Sequence, residues 1–394
     1  MTGDFIIHFI NILLWCIIAA STFYVCFFSI ASIIPHGKIC FGEESSKKSS
    51  FLILFPAYKE DAVIINSVKT FLKQQYPEDL YKVLVISDHM EDVTNHQLAS
   101  FPITLLLPSF TKSSKANALK YAIDSYNASA EKTPDYIVIL DADNIVGDDF
   151  LARLDRIAQK DEVIQCHRTA KNSDNEIAAL DGLSEEINNS IFRRGHNRIG
   201  MSSALIGSGM CFSYQWFNDN VHALSSAVED RELEAILMKQ RVFIRYAEDI
   251  LVMDEKVDSS DNFQRQRLRW MTGQVQTFFL MIPYLPLAII HGNINYIDKV
   301  IQQALIPRSF LLLCIPLFTI VSMAIFRWSY PSIMWIGLLL ILVLSLYIAI
   351  PKSLRSKAII KKIFYIPELV WRMLKNTVHI RTDNKEFIHT THHQ

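Results

Sequence analysis

Four short polar signatures hold the residues that could do chemistry: Pro56-Ala57-Tyr58-Lys59-Glu60, Asp141-Ala142-Asp143, Glu229-Asp230 and Gln266-Arg267-Leu268-Arg269-Trp270. Asp141 and Asp143 lie two apart after an apolar run, so on an extended chain both carboxylates face one spot. Two hard oxygen ligands there suit Mg2+ or Mn2+ held jointly with a diphosphate. A solvated turn explains a lone Asp-x-Asp as well. Asp230 is a candidate general base for an acceptor hydroxyl, although acidic residues at a helix start are also ordinary capping chemistry. Arg267 and Trp270 fall i,i+3 on one helical face, and Gln266 and Trp270 fall i,i+4. Arginine can pair bidentately with diphosphate oxygens, and tryptophan can stack on the apolar face of a sugar ring. A basic helix approaching anionic lipid is the plainer account of that segment.

The other candidates close apolar runs or open helices. Tyr58 could stack on a base and Glu60 could accept hydrogen bonds from a base or ribose; a strand-to-helix turn with an acidic start needs no ligand. Asp88, ending the next run, is the natural partner of the same base. Lys115 opens a helical pattern and could meet phosphate charge, whereas a lone lysine is more often solvated surface. Gly209, in Ile206-Gly207-Ser208-Gly209-Met210, permits close backbone approach to a sugar or acceptor, as a tight turn would.

These residues need elements to place them, and the hydrophobic pattern supplies them. Residues 51–55, 82–86, 104–107 and 136–140 are short apolar runs of buried-strand type. Helical patterns occupy about 61–74, 115–127 and 231–239. Such alternation predicts an α/β domain with a mostly parallel sheet, helices on both faces, and ligand chemistry at the strand ends.

The chain has 394 residues, half of them hydrophobic, enough for one sizeable soluble domain plus a membrane part. Residues 5–35 carry no Asp, Glu, Lys or Arg, longer than the roughly 20 residues a spanning helix needs. Met1-Thr2-Gly3-Asp4 lacks the basic start of a signal peptide, which favours an uncleaved anchor. Residues 309–326 and 328–351 are also free of charge, and Lys352, Arg355, Lys357, Lys361 and Lys362 follow. Under the positive-inside rule, three spans put residues 38–300 and the C-terminus in the cytoplasm. Residues 270–297 are uncharged too, but Pro283 and Pro286 interrupt them, which predicts an interfacial helix. Residues 357–375 read as a second one. The formal net charge of -1 gives no support for a nucleic-acid partner. Six cysteines without a CxxC pair read as reduced packing residues.

With these motifs in order, the sequence resembles a membrane-bound family 2 glycosyltransferase of GT-A type, the group that holds cellulose, chitin and hyaluronan synthases. The likeness covers about residues 50–290. It implies a Rossmann-like nucleotide-sugar-binding domain flanked by transmembrane helices. Its organisation would be an anchor (1–37), a cytoplasmic catalytic domain (38–272), an interfacial helix (273–300), two spans (301–351) and a cytoplasmic tail (352–394). Carried over residue by residue, Tyr58, Glu60 and Asp88 meet the nucleotide with Lys115 near it, and Asp141 and Asp143 meet the ribose and a Mg2+ or Mn2+ ion. Gly209 and Glu229 fall on the substrate-binding side, and Asp230 becomes the base. Gln266, Arg269 and Trp270 match the family's Gln-x-x-Arg-Trp motif, with Arg267 between them. The activity implied is inverting transfer from a nucleotide sugar, a UDP-sugar by preference, to a growing polysaccharide at the cytoplasmic membrane face. A single transfer to a lipid-linked acceptor uses the same residues. Membrane lipid is the expected surrounding, and no nucleic acid is expected.

Overall fold

In the computed structural model the chain is described over residues 2–35, 47–129, 132–159, 161–172, 176–226, 228–256 and 260–355. The expected helix at 357–375 lies outside these residues. A long apolar helix, α1 (Thr2–Ala31), precedes an alternating series: β1 (Phe51–Tyr58), α2 (Ile64–Phe71), β2 (Tyr81–Asp88), α3 (Asp92–Ala99), β3 (Thr104–Leu106), α4 (Lys115–Ala128) and β4 (Tyr136–Ile139). Then come β5 (Ile145–Val146), α5 (Phe150–Ala158), β6 (Val163–Ala170) and α6 (Glu176–Asn188), which continues through a π-helical turn, Asn189–Gly195, into α7 (His196–Arg198). β7 (Met210–Ser213), α8 (Tyr214–Asn220), α9 (Glu229–Gln240) and β8 (Ile244–Asp254) complete the sheet domain. Five helices follow: α10 (Ser260–Met281), α11 (Leu285–Ile290), α12 (Ile294–Ala304), α13 (Arg308–Phe326) and α14 (Tyr330–Ala349).

The four strands expected from the apolar runs all form. They make the parallel half of an eight-stranded sheet of order β3-β2-β1-β4-β7-β6-β8-β5. The other half is mixed, because β7 runs antiparallel to both β4 and β6, and β5 antiparallel to β8. Side chains alternate across the sheet as the strand period demands. Phe51, Ile53 and Phe55 pack on one face with Phe71, Phe150 and Leu154 from α2 and α5. Leu52 and Leu54 pack on the other with Leu119 and Ile123 of α4, Phe217 of α8 and Leu237 of α9. Burying each such side chain contributes about 1.5–3 kcal/mol, so the sheet's register is strongly specified. Because β1 passes to β2 on one side and to β4 on the other, a crevice opens outside the carboxyl ends of these strands.

Among the described residues, four helical segments are long and apolar enough to cross a membrane: Phe5–Ala31, Gln266–Ile290, Arg308–Phe326 and Tyr330–Ala349. Three are the spans expected from the sequence. The fourth is the stretch read as interfacial, and it bends through a tight turn, Ile282–Tyr284, at Pro283. One side of it is docked: Met281 and Ala288 are buried in the sheet domain's core. Its other side exposes Phe279, Leu280, Leu287 and Ile290. α1, α13 and α14 pack around Ile18, Leu311, Ile315 and Trp335, and the Trp335 indole donates to Asn11 Oδ1 at 2.9 Å.

The C-terminal half of α1 ties these helices to the sheet domain. Val25 and Phe28 pack on Leu183, Ile187 and Ile191, and the Phe28 ring stacks on His196 at 3.6 Å between centroids. Gly195 makes the approach possible, because a Cβ there would collide with the Phe28 carbonyl. Gly195→Ala must push α1 off this surface. Overpacking of this kind costs about 1–3 kcal/mol, and a fall in the thermal midpoint of the detergent-solubilised protein is the expected result. An unchanged midpoint would show that the contact is not tight.

Candidate active site

β1 and β2 end side by side, with Tyr58 paired in register with Asp88. Each strand leaves the sheet through a non-glycine residue in the left-handed region, Lys59 at φ 55° and His89 at φ 56°. That backbone is uncommon for such residues and is typical of functional sites. The two turns are tied together where Lys59 N donates to the Asp88 carbonyl at 3.2 Å. Asp88 is buried, its carboxylate 2.5 Å from His89 Nδ1.

Asp141 and Asp143 come together, but not as neighbours on an extended strand. β4 stops at Ile139, and residues 141–144 form a turn in which Asn144 N donates to the Asp141 carbonyl. Asn144 is its hub. Its side-chain oxygen accepts from Asp141 N at 2.9 Å and from the Ser208 hydroxyl, and its amide donates to Asp143 Oδ1 at 3.1 Å and Asp254 Oδ1 at 3.2 Å. Asp143 Oδ2 accepts from Glu255 N at 2.9 Å. Sequence reading passed over Asn144, although an Asn closing an Asp-rich turn is a familiar signal.

Lys115 is not solvated surface. Ser114 caps α4 by accepting from Asn117 N, which fixes Lys115 as the helix's first residue. Its ammonium donates to Asp141 Oδ1 and to the Gly207 carbonyl, each at 2.5 Å, and lies 3.5 Å from Glu229 Oε1. Burial pulls its pKa down, but Asp141 and Glu229 outweigh that and the net shift is upward. Glu229 is pushed up to about 7 by burial, with Asp230 and Asp141 adding to the rise and Lys115 opposing it.

Glu229 and Asp230 open α9, as the sequence suggested, and Asp230 Oδ1 accepts from Arg231 N at 2.8 Å. The small-residue turn packs here through Gly207, at φ 82°, where a Cβ would stand 3.5 Å from Asp230 Oδ2. Gly209, expected to approach a substrate, faces the sheet instead. A Cβ there would stand 2.9 Å from Val252 Cγ2, so the residue serves packing, and Gly207 takes the place on the cavity wall.

The Gln-Arg-Leu-Arg-Trp segment lies on α10. The Arg267 guanidinium sits 4.6 Å from the centre of the Trp270 ring and pairs with Asp181 of α6, a partner that the sequence did not reveal. One cavity of about 760 Å³ collects Tyr58, Glu60, Asp88, Lys115, Asp141, Asp143, Glu229, Asp230, Gln266, Arg267, Arg269 and Trp270. Every candidate site residue except Gly209 therefore shares one space of ligand-binding size. A buried ion cluster not anticipated forms a further wall: Arg168 holds Glu185 through two bonds, of 3.0 and 3.2 Å, and Lys256 holds Glu185 and Asp254. At its far end the cavity reaches Leu312, Val343, Leu346 and Tyr347 of α13 and α14. Among the described residues no group of three or more His, Cys, Asp or Glu could hold a metal ion alone.

Known proteins can be set beside this geometry. The model of the glycosyl transferase family group 2 matches residues 136–350, and that of glycosyl transferase family 2 matches residues 52–217. No curated protein matches the chain. A mannosyltransferase from Pyrobaculum calidifontis, solved in complex with GDP-Man and Mn2+, superimposes with a TM-score of 0.59 at 14% identity, over 94% of this chain and 99% of that one. S. aureus TarS gives 0.42 at 11% identity, over 84% and 92%. Glucosyl-3-phosphoglycerate synthase from Mycobacterium tuberculosis, solved with Mn2+, uridine diphosphate and glucosyl-3-phosphoglycerate, gives 0.37 at 15% identity, over 55% and 75%. The first of these shares the fold, and the first family model spans more than half of the chain. The chain therefore belongs to the glycosyl transferase family group 2 and is a glycosyltransferase of GT-A fold.

Proposed function

We propose that the protein transfers a sugar, with inversion, from a nucleotide-sugar donor to an acceptor at the cytoplasmic membrane surface. The observation that carries this reading is the single cavity in which strand-end carboxylates, a buried lysine, an acidic helix start and an Arg/Trp face meet. Tyr58, Glu60 and Asp88 would hold the base and ribose, and Lys115, Arg267 and Arg269 the diphosphate. Trp270 offers its ring to the sugar, and Gln266 and Glu229 complete the wall around it. Asp230 would take the acceptor's proton while the acceptor oxygen attacks the anomeric carbon from the side opposite the diphosphate.

A divalent cation, Mg2+ or Mn2+, fits the residues present. The Asp143 carboxylate is oriented by amide donors, and Asp141 shares its cavity. Two carboxylates are too few for an all-protein cage, but they suit a cation that takes its remaining ligands from donor phosphates and water. When bound, such an ion would offset charge on the departing diphosphate.

We read α1, α13 and α14 as the spanning helices and Gln266–Ile290 as interfacial, since one of its sides is docked on the catalytic core. A polysaccharide end and a lipid-linked acceptor would use the same catalytic residues. The apolar continuation of the cavity between α13 and α14 favours the lipid-linked one.

Asp230→Asn should lower turnover by roughly 10²–10⁴ while leaving donor binding intact, as read by diphosphate release from a panel of nucleotide sugars. Full turnover in that variant would remove Asp230 from its role. Chelating the divalent metal should abolish release, and mass spectrometry of the product separates a single addition from a polymer. Glu229 gives a prediction of opposite sign to the usual carboxylate. Its folded pKa of about 7 lies above the ordinary 4.5, so the folded state holds the proton more tightly. Stability should fall as pH rises from about 4.5 to about 7, and Glu229→Gln should flatten that slope. Thermal melts of both proteins across this window check it; identical slopes would refute the assignment.

A further inference from the structure

Among the described residues, two arginines on the wall of the cavity nearest α13 and α14 form no salt bridge. Arg193, on the π-helical turn after α6, is 4% exposed and lines the cavity. It donates to Asn189 Oδ1 at 2.8 Å, and its Nε has no hydrogen-bond partner. Two carboxylates act on it, and both are already held: Glu185 by Arg168 and Lys256, and Glu234 by Lys299. Arg308 also lines the cavity, and its partners are all neutral: the Ser184 carbonyl at 3.1 Å, the Ser184 hydroxyl at 3.4 Å and Asn188 Oδ1 at 2.6 Å. The charges that act on it are Arg267 and Arg193, and both repel it. Arg308 is moreover the first residue of α13, whose N-terminus has no side-chain cap. A cation at the positive end of a helix is on the wrong side of the macrodipole. An anion between these groups would relieve all three conflicts at once, and backbone N–H groups at a helix start are natural donors to phosphate.

We propose that Arg193 and Arg308 form an anion subsite that anchors the phosphate of a lipid-linked acceptor. The apolar wall beside it, Leu312, Val343, Leu346, Tyr347 and Ile350, receives the lipid chain. The phosphate is an anchor and not the nucleophile; the sugar beyond it presents its hydroxyl to Asp230. This assignment rests on the transfer reading above and names its acceptor.

The test uses the full-length protein in detergent, with farnesyl phosphate as the probe and farnesol and inorganic phosphate as comparison ligands. Farnesyl phosphate should bind, and Arg308→Gln or Arg193→Gln should weaken it on the order of tenfold or more, the loss expected for a hydrogen bond to a charged group. Arg308→Lys should keep most of the affinity, which separates lost charge from lost folding. Farnesol should bind equally to all variants. Unchanged farnesyl phosphate binding in both glutamine variants overturns the subsite. Inorganic phosphate binding as tightly as farnesyl phosphate makes it a free-phosphate site and overturns the lipid assignment. Nucleotide-sugar binding, measured on the same samples, should persist in Arg308→Gln. If no donor binds the parent protein while farnesyl phosphate does, the transfer reading falls and the anion subsite stands.

Discussion

Everything in the catalytic cleft depends on one buried ammonium, that of Lys115, held between Asp141, the Gly207 carbonyl and Glu229. The residues come from four places far apart in sequence: the start of α4, the turn after β4, the glycine turn before β7 and the start of α9. Taking the lysine away would leave the buried Glu229 without its cation, and breaking a buried pair in that way costs about 3–5 kcal/mol in proteins generally. The junction thus fixes where the acidic start of α9, and with it Asp230, stands relative to the carboxylate turn. A diphosphate entering the junction would compete with these partners, because an ammonium has three N–H groups and three acceptors already surround it.

A second charged cluster shows how the cavity wall is balanced elsewhere. Arg168 and Lys256 answer Glu185 and Asp254 two for two, and Asn144 couples the cluster to the Asp141–Asp143 turn. The polar wall near the sheet is therefore neutral by pairing. The wall nearest α13 and α14 is not, since among the described residues Arg193 and Arg308 hydrogen-bond to neutral groups only. Burial penalises an unpaired cation more than almost any other group, so this asymmetry calls for a physical cause.

Much of the scaffold was legible from periodicity. The apolar runs at 51–55, 82–86 and 136–140 became β1, β2 and β4, and the motifs fell at their carboxyl ends because buried strands have a strong local signature. What failed was local geometry inferred without tertiary context. Asp141 and Asp143 meet through a turn organised by Asn144, not through strand alternation, and Gly209 serves sheet packing while Gly207 borders the cavity. Lys115 looked like surface because its partners are 26 and 114 positions away, a separation that no window of sequence can display. Arg308 was visible only as the residue before a charge-free run, and its conflict with the helix dipole emerges once α13 is placed. The assignment of roles to individual site residues came from the family resemblance, since each motif alone has an ordinary capping or turn explanation.

The apolar helices line the cavity as well as packing on one another. Val343, Leu346 and Tyr347 of α14 and Leu312 of α13 line the same cavity as Asp141 and Asp230. α1 reaches that cavity through Val25 and grips the π-helical turn that carries Arg193. A π-helical turn widens a helix by one residue and is characteristic of functional positions. Here it lies between the α1 contact and the cavity, so the packing of Phe28 against Gly195 and His196 bears on where Arg193 points. The end proposed for the donor is built from the sheet and is fixed by its register. The end proposed for the acceptor is built from helices packed against one another, and its shape follows from how α1, α13 and α14 are held together.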